Sequence, residues 1–216
     1  MGEIVLVRHG QANSGATTED EYDKLSDLGH QQAAWLGTYF RDFEAPFDRV
    51  LTGSLRRHKE TAAAMGTLGP DAEEDARLDE MDYFNLGRAL EDRHGVPFPG
   101  PDEFAAHVPQ VMAAWHAADI QGNESFASFE TRVTGVLAEA AKPGRRVLCV
   151  TSGGVIGMVI RSLLDLNPTR MAEILLPIRN SSIHRINVTP YGTLLGGFNA
   201  HPHLDLPGRA HALTHY

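Results

Sequence analysis

Apolar positions along this chain alternate between two spacings. Short continuous apolar runs occupy 3–7, 48–52 and 146–151, and later 182–188 and 193–199, each the length of a buried strand. Between them, apolar residues recur every three or four positions. The stretch 27–42 carries Leu28, Ala33, Ala34, Leu36, Tyr39 and Phe40 on one helical face, with Ser26 as its N-cap. The stretch 55–68 does the same with Leu55, Ala62, Met65 and Leu68, and further helices are predicted over 102–118, 126–141 and 155–165. Gly10, Asn13, Ser14 and Gly15 predict a loop after the first strand. The middle, 79–125, reads as less regular because Gly87, Gly95, Pro97, Pro99, Gly100 and Pro101 interrupt it.

Strands alternating with helices predict an α/β chain: a three-layer α/β/α sandwich whose central sheet is mostly parallel. We read residues 1–216 as one domain, with 79–125 as a small insertion over the active site and about 206–216 as a loose tail. No internal repeat or low-complexity segment is present.

Composition narrows the function classes. Hydrophobic residues make up 42% and charged residues 22%, the balance of a soluble globular protein. The formal net charge of -9 gives a nucleic acid or an anionic membrane no global attraction. The single cysteine, Cys149, lies in an apolar run and fits a reducing, cytoplasmic setting. The first apolar run is too short for a secretory leader, and no run reaches the length of a membrane span.

The chemistry gathers where strands end, which is where parallel α/β sheets bind ligands. The first strand ends in Arg8-His9-Gly10. The second runs into Gly53-Ser54, with Arg56 and Arg57 in the helical turn beyond. The third ends in Thr151-Ser152-Gly153-Gly154 at a helix start, where free backbone N–H groups favour an anion. Arginine forks match phosphate oxygens, and a neutral imidazole attacks phosphorus without bringing in negative charge. The acidic stretch Arg77-Leu78-Asp79-Glu80-Met81-Asp82 is the best source of an acid for the leaving oxygen. Taken one at a time, the same groups also read as a surface Arg-His pair, a solvated helix face and ordinary turn punctuation.

Taken together, LVRHGQA at 6–12, LSDLGHQQAAWLG at 25–37, FDRVLTGSLRRHKETA at 47–62 and ARLDE at 76–80 resemble the histidine phosphatase superfamily. Its members include cofactor-dependent phosphoglycerate mutases and small bacterial phosphatases. The resemblance implies His9 as a phosphorylated nucleophile, with Arg8 and Arg57 holding the phosphoryl oxygens. Arg57 is preferred to Arg56 because the family arginine stands four residues before a threonine, here Thr61. Glu80 matches the family acid after a leucine, with Asp82 in reserve. Asn13, Ser152 and Gly153 are further phosphate-binding candidates. No metal and no cofactor are implied.

The family usually carries a second histidine after the strand corresponding to 146–151. Here that residue is Ser152, a hydroxyl without charge. His58, His184, His201 and His203 read as exposed or satisfied histidines, with His58 pointing around its helix away from Arg57. His94, His107 and His116 have no argued role. The leading expectation is a metal-independent phosphomonoesterase acting on a phosphorylated small molecule or phosphoprotein. A non-catalytic phospho-ligand-binding regulator is the alternative. A phosphoglycerate mutase ranks below it, because 79–125 is short for the water exclusion that phosphoryl return requires. Tyr83, Phe84, Phe98 and Phe104 are candidate apolar contacts for the leaving group.

Overall fold

The first apolar run forms strand β1 (Gly2–Arg8), and its alternation decides the layering. Val5 and Val7 pack into one apolar cluster, Ile4 and Leu6 into another, so both faces of the strand are covered. The computed structural model describes residues 1–13, 16, 18–100 and 102–215; Ser14, Gly15 and Pro101 of the predicted turns, and Tyr216, lie outside them.

Past β1 come α1 (Glu19–Tyr22), α2 (Asp27–Phe43), β2 (Arg49–Thr52), α3 (Arg56–Met65) and β3 (Glu73–Glu74). A 3-10 turn at Ala76–Leu78 leads to α4 (Tyr83–His94), α5 (Phe104–His116) and α6 (Phe126–Ala140). The chain then forms β4 (Arg146–Thr151), α7 (Gly153–Leu164), α8 (Pro168–Leu175), β5 (Ile183–Thr189) and β6 (Gly192–Ala200). Among the described residues the sheet is six-stranded, in the order β3-β2-β4-β1-β5-β6. Pairing is parallel from β3 through β1 and antiparallel for β5 and β6. The expected mostly parallel α/β sandwich is therefore present.

Leu36 and Phe40 of α2 and Met65 of α3 cover one face of the sheet. The other face lies under Trp115 of α5, Phe129 and Val133 of α6, and Ile156 and Val159 of α7. Ser26 caps α2 as expected, its hydroxyl accepting the Gly29 amide at 3.0 Å.

Three expectations need correcting. The helix predicted over 55–68 stops at Met65, where Gly66 turns to a φ of 74° and breaks the helical path. The middle is more regular than its glycines and prolines implied. Leu86 and Leu90 of α4 and Val108, Val111 and Met112 of α5 share the cluster of Ile4 and Leu6, so apolar burial overrides the interrupted sequence. The tail is not loose: Ala212 is fully buried, Gln32 Nε2 donates to its carbonyl at 2.8 Å, and the Asn180 amide donates to the Thr214 carbonyl at 2.9 Å.

Gly37 marks the tightest approach of α2 and α3, since a Cβ there would stand 1.9 Å from the Met65 carbonyl oxygen. Helix propensity alone favours alanine over glycine by about 1 kcal/mol. We expect the reverse here: Gly37→Ala lowers unfolding free energy by about 1–3 kcal/mol, the range for overpacking, as read by urea denaturation.

Candidate functional site

The register of β1 with β4 pairs Arg8 with Thr151, so the next residues, His9 and Ser152, leave the sheet side by side. The His9 amide donates to the Thr151 carbonyl at 2.9 Å, carrying the ladder one step past the strand ends. Gly10 is required by space: a Cβ would lie 2.4 Å from the Gly29 carbonyl oxygen. Its amide donates to Thr61 Oγ1 at 3.1 Å, and that hydroxyl donates to the Arg57 carbonyl at 2.7 Å. The threonine four residues past Arg57 thus ties α3 to the His9 turn.

His9 is 1% exposed, and its Nδ1 lies 2.7 Å from the Gly10 carbonyl oxygen. Only an Nδ1–H can use that acceptor, which leaves Nε2 as an unprotonated lone pair. Burial, then the charges of Arg57 and Arg8, hold this imidazole well below the usual histidine pKa, so it is neutral.

Arg57 is also buried, at 1% exposure. Its Nη1 meets Asp23 Oδ1 at 3.1 Å, and its guanidinium lies 5.0 Å over the Tyr22 ring. Asp23 also caps α3, accepting the Arg56 and Arg57 amides at 2.9 and 3.0 Å, because Leu55 at the N-cap position has no side-chain acceptor. The Arg8 guanidinium donates through Nη1 to the Ile178 carbonyl, while its buried Nε has no hydrogen-bond partner. That orphaned donor lies 3.8 Å from where a Cβ on Gly153 would stand. A buried donor beside a helix start is a fitting seat for an anion.

Glu80 closes the other side. Its Oε2 accepts the Gly154 amide at 3.0 Å and its Oε1 accepts the Met81 amide at 2.9 Å. A Cβ on Gly154 would stand 2.1 Å from Glu80 Oε1, so a glycine there makes room for the carboxylate. Asp82, the reserve acid, instead caps α4, accepting the Asn85 amide at 3.2 Å and Asn85 Nδ2 at 2.7 Å. Asn13 is committed to its loop, donating through Nδ2 to the Glu21 carbonyl at 3.0 Å.

Of the candidates, His9, Arg8, Arg57, Glu80, Ser152 and Gly153 converge, whereas Asn13 spends its amide donor on the Glu21 carbonyl. The sequence reading missed Tyr22 and Asp23, named Asp79 only as part of the acidic stretch, and set His58 aside. His58 is neither exposed nor turned away: it is fully buried, its Nε2 lies 2.6 Å from Ser152 Oγ, and its ring centre is 5.8 Å from that of His9. Side chains in a first helical turn lean toward the N-terminus, so neighbours on α3 both reach the space in front of it. Asp79 accepts from the Ser54 amide at 2.6 Å and from Ser54 Oγ at 2.5 Å, anchoring the same helix start.

His184 and His201 find partners away from His9, as expected, whereas His203 Nδ1 and His107 Nε2 are buried without a hydrogen-bond partner. His184 accepts the Asn199 amide at its Nδ1 and pairs with Ser182 through Nε2, and His203 pairs with Ser181 at 2.8 Å. His201 lies 2.9 Å from Asp205. His107 faces the Tyr83 hydroxyl at 2.8 Å, within a group of rings formed by Tyr83, Phe84, Phe98 and Phe104. The Phe84 ring continues this group to Tyr22, 6.5 Å away, and Tyr22 stands edge-on to His9 at 6.3 Å. Cys149 is buried and its thiol is pushed up to about 12, so it is inert.

The fold is an α/β sandwich that gathers two buried arginines and two buried histidines at the carboxyl end of its parallel strands. Residues 4–201 match the model of the histidine phosphatase superfamily, branch 1, and the chain belongs to that family. It is 26% identical over 201 residues to a 2,3-bisphosphoglycerate-dependent phosphoglycerate mutase from Allorhizobium ampelinum, covering 86% of this chain and 90% of the mutase. A phosphoserine phosphatase from Entamoeba histolytica, solved with phosphoserine, shares the fold at a TM-score of 0.71 and 19% identity, over 94% of this chain and 100% of that one. A putative α-ribazole-5'-P phosphatase from Escherichia coli does so at a TM-score of 0.67 and 21% identity, over 93% and 98% of the two chains. No helix among the described residues is long and apolar enough to cross a membrane.

Two buried histidines give this region a pH dependence. Burial pushes both His184 and His203 down to about 3, from an ordinary value of 6.5. Below pH 6.5 the unfolded chain takes up protons that the folded one refuses, so stability is full above 6.5 and is lost as pH falls toward 3. Each ring withdraws up to about 1.4 kcal/mol per pH unit in that window. Urea midpoints at pH 7.5 and pH 5 should differ markedly, and equal midpoints would contradict the neutral assignment.

Proposed function

We propose that this protein is a metal-independent phosphomonoester hydrolase that works through a phosphohistidine on His9. The observation that carries the reading is the His9 ring, neutral between two arginines, with Nδ1 held by the Gly10 carbonyl and Nε2 left as a nucleophile.

Arg8 and Arg57 bind the phosphoryl oxygens, with the amides at the start of α7. The Nε2 lone pair attacks phosphorus, and the P–O ester bond breaks. Its electron pair goes to the leaving oxygen, which takes a proton from the Glu80 carboxyl group. His9 keeps its Nδ1 proton throughout, and the Gly10 carbonyl stabilises the charged ring. Water then attacks phosphorus, the Glu80 carboxylate takes the water proton, and the N–P bond breaks with its electrons returning to Nε2. Inorganic phosphate leaves.

On this reading Ser152 occupies the place where the family usually carries its second histidine. The rings running from Tyr22 through Phe84 to Phe98 favour a phosphorylated small molecule with an apolar or aromatic portion over a bare polar one. The mutase relative supports a second reading, phosphoryl return to an acceptor hydroxyl, which would appear as isomerisation of a phosphoglycerate instead of phosphate release.

Aryl phosphate hydrolysis measured with a chelator present, from about pH 5 to 8, tests the proposal. Wild type should turn over with chelator, and His9→Ala should lose about 10³-fold or more. Glu80→Gln should lose about 10²–10⁴-fold in kcat. Equal rates for wild type and His9→Ala would end the phosphohistidine reading.

The aromatic wall predicts a separate effect. Phe84→Ala should raise KM for an aryl phosphate by about tenfold, the scale of one lost ring contact, and leave KM for phosphoserine nearly unchanged.

A further inference from the structure

A fully buried imidazole with no role in the scheme above lies against the reacting centre. His58 has Ser152 Oγ 2.6 Å from its Nε2 and Asp79 Oδ1 3.7 Å from its Nδ1, an ion-pair rather than a hydrogen-bond distance. Nδ1 is buried and has no hydrogen-bond partner. The space is made for this pair: a Cβ on Gly53 would stand 2.1 Å from His58 Nδ1 and 2.7 Å from Asp79 Oδ1. Ser152 is itself fully buried, where α7 begins, and the His58 ring centre is 5.8 Å from that of His9.

We propose that His58 is the second imidazole of the phosphoryl site, supplied by α3 instead of by the turn after β4, and that Ser152 is the partner that holds it. The inference rests on the phosphohydrolase reading and assigns a role to a group outside it. Burial, with the Arg57 charge adding to it, holds the His58 imidazole below the ordinary histidine value in the empty site, while Asp79 and Glu80 pull the other way and favour its protonated form. His9 is the other imidazole at its side. An arriving phosphate dianion adds negative charge to this balance and favours the imidazolium. With both nitrogens protonated, Nδ1–H faces Asp79. Nε2–H donates to Ser152 Oγ or to a phosphoryl oxygen, and the Ser152 hydroxyl hydrogen is freed to turn toward that oxygen too. The neutral form with its proton on Nδ1 would draw the serine hydrogen onto Nε2 and leave only lone pairs facing the phosphate.

The test compares His58→Ala, His58→Gln, Ser152→Ala and the double variant His58→Ala/Ser152→His. Two readouts are taken: aryl phosphate turnover, and calorimetric binding of inorganic phosphate. We expect His58→Ala to lower kcat by about 10²–10³, as for other preorganised donors, and Ser152→Ala by less than about tenfold. His58→Gln keeps a donor of similar reach and the urea midpoint, yet loses about tenfold in phosphate affinity, the worth of one charge-assisted hydrogen bond. The double variant returns an imidazole to the same space from the other side and should exceed His58→Ala by at least about tenfold. A purely packing role for His58 predicts no such recovery.

His58→Ala and His58→Gln that turn over and bind phosphate within about threefold of wild type would overturn the proposal. So would a folded double variant no better than His58→Ala. If wild type itself turns nothing over, the hydrolase reading fails, and phosphate affinity alone decides whether His58 is a ligand of the site.

Discussion

The site depends on the parallel pairing of β1 with β4. Because Arg8 stands level with Thr151, two chain segments remote in sequence leave the sheet together, and His9 and Ser152 become neighbours. A slip of one residue would turn Arg8 toward the opposite face and separate the pair. The His9 amide bonds to the Thr151 carbonyl, and the Thr151 hydroxyl donates to the Leu78 carbonyl at 2.5 Å. The same two strands therefore also fix the segment that carries Asp79 and Glu80. Packing of Ile4, Leu6, Val147 and Cys149 on one face, and Val5, Val7, Leu148 and Val150 on the other, makes that register hard to change.

An acidic chain with a net charge of -9 must still present a cationic seat. Arg57 is held by a carboxylate, that of Asp23, whereas Arg8 is held by the Ile178 backbone carbonyl, which brings no opposing charge. Arg57, at 1% exposure, needs opposite charge beside it, and Asp23 supplies some while also satisfying the first amides of α3. Asp23 thus anchors the helix that presents both Arg57 and His58. Asp79 does the same from the opposite side through Ser54. The carboxylates around the seat position the cations, and His9 stays neutral among them because burial and two guanidinium groups oppose its protonation.

Strands β1, β2 and β4 were legible because their apolar runs are nearly continuous, and the ligand end of the sheet followed from where those runs stop; β3, two exposed glutamates, carries no such run and was not foreseen. His9, Arg8, Arg57 and Glu80 stood out for that reason. The helix α4 was not legible: Gly87 interrupts its sequence, yet a Cβ there would lie 2.7 Å from the Phe98 ring, so the glycine serves packing and not a turn. The tail was misread because its anchors are remote side chains, Gln32 and Asn180, that no local pattern reveals. Asp23 and Tyr22 were missed for the same reason: their partners on α3 are more than thirty positions away. His58 was misread by treating α3 as an endless cylinder, on which consecutive residues diverge by about 100°. At an open helix end that divergence matters less, since both side chains lean into the space ahead of the first turn.

The meeting of His58 and Ser152 also has a packing logic. The interior beside His9 is closed, with Ser152, His58 and Thr151 all fully buried, so it holds a fixed volume of side chain. A large imidazole contributed by α3 requires a small residue at the start of α7 and a glycine at 53, and the chain has both. Two imidazoles at 58 and 152 would overfill the space, and two small residues would leave a cavity beside His9. The serine at 152 is therefore the steric complement of the histidine at 58, and each residue explains the other.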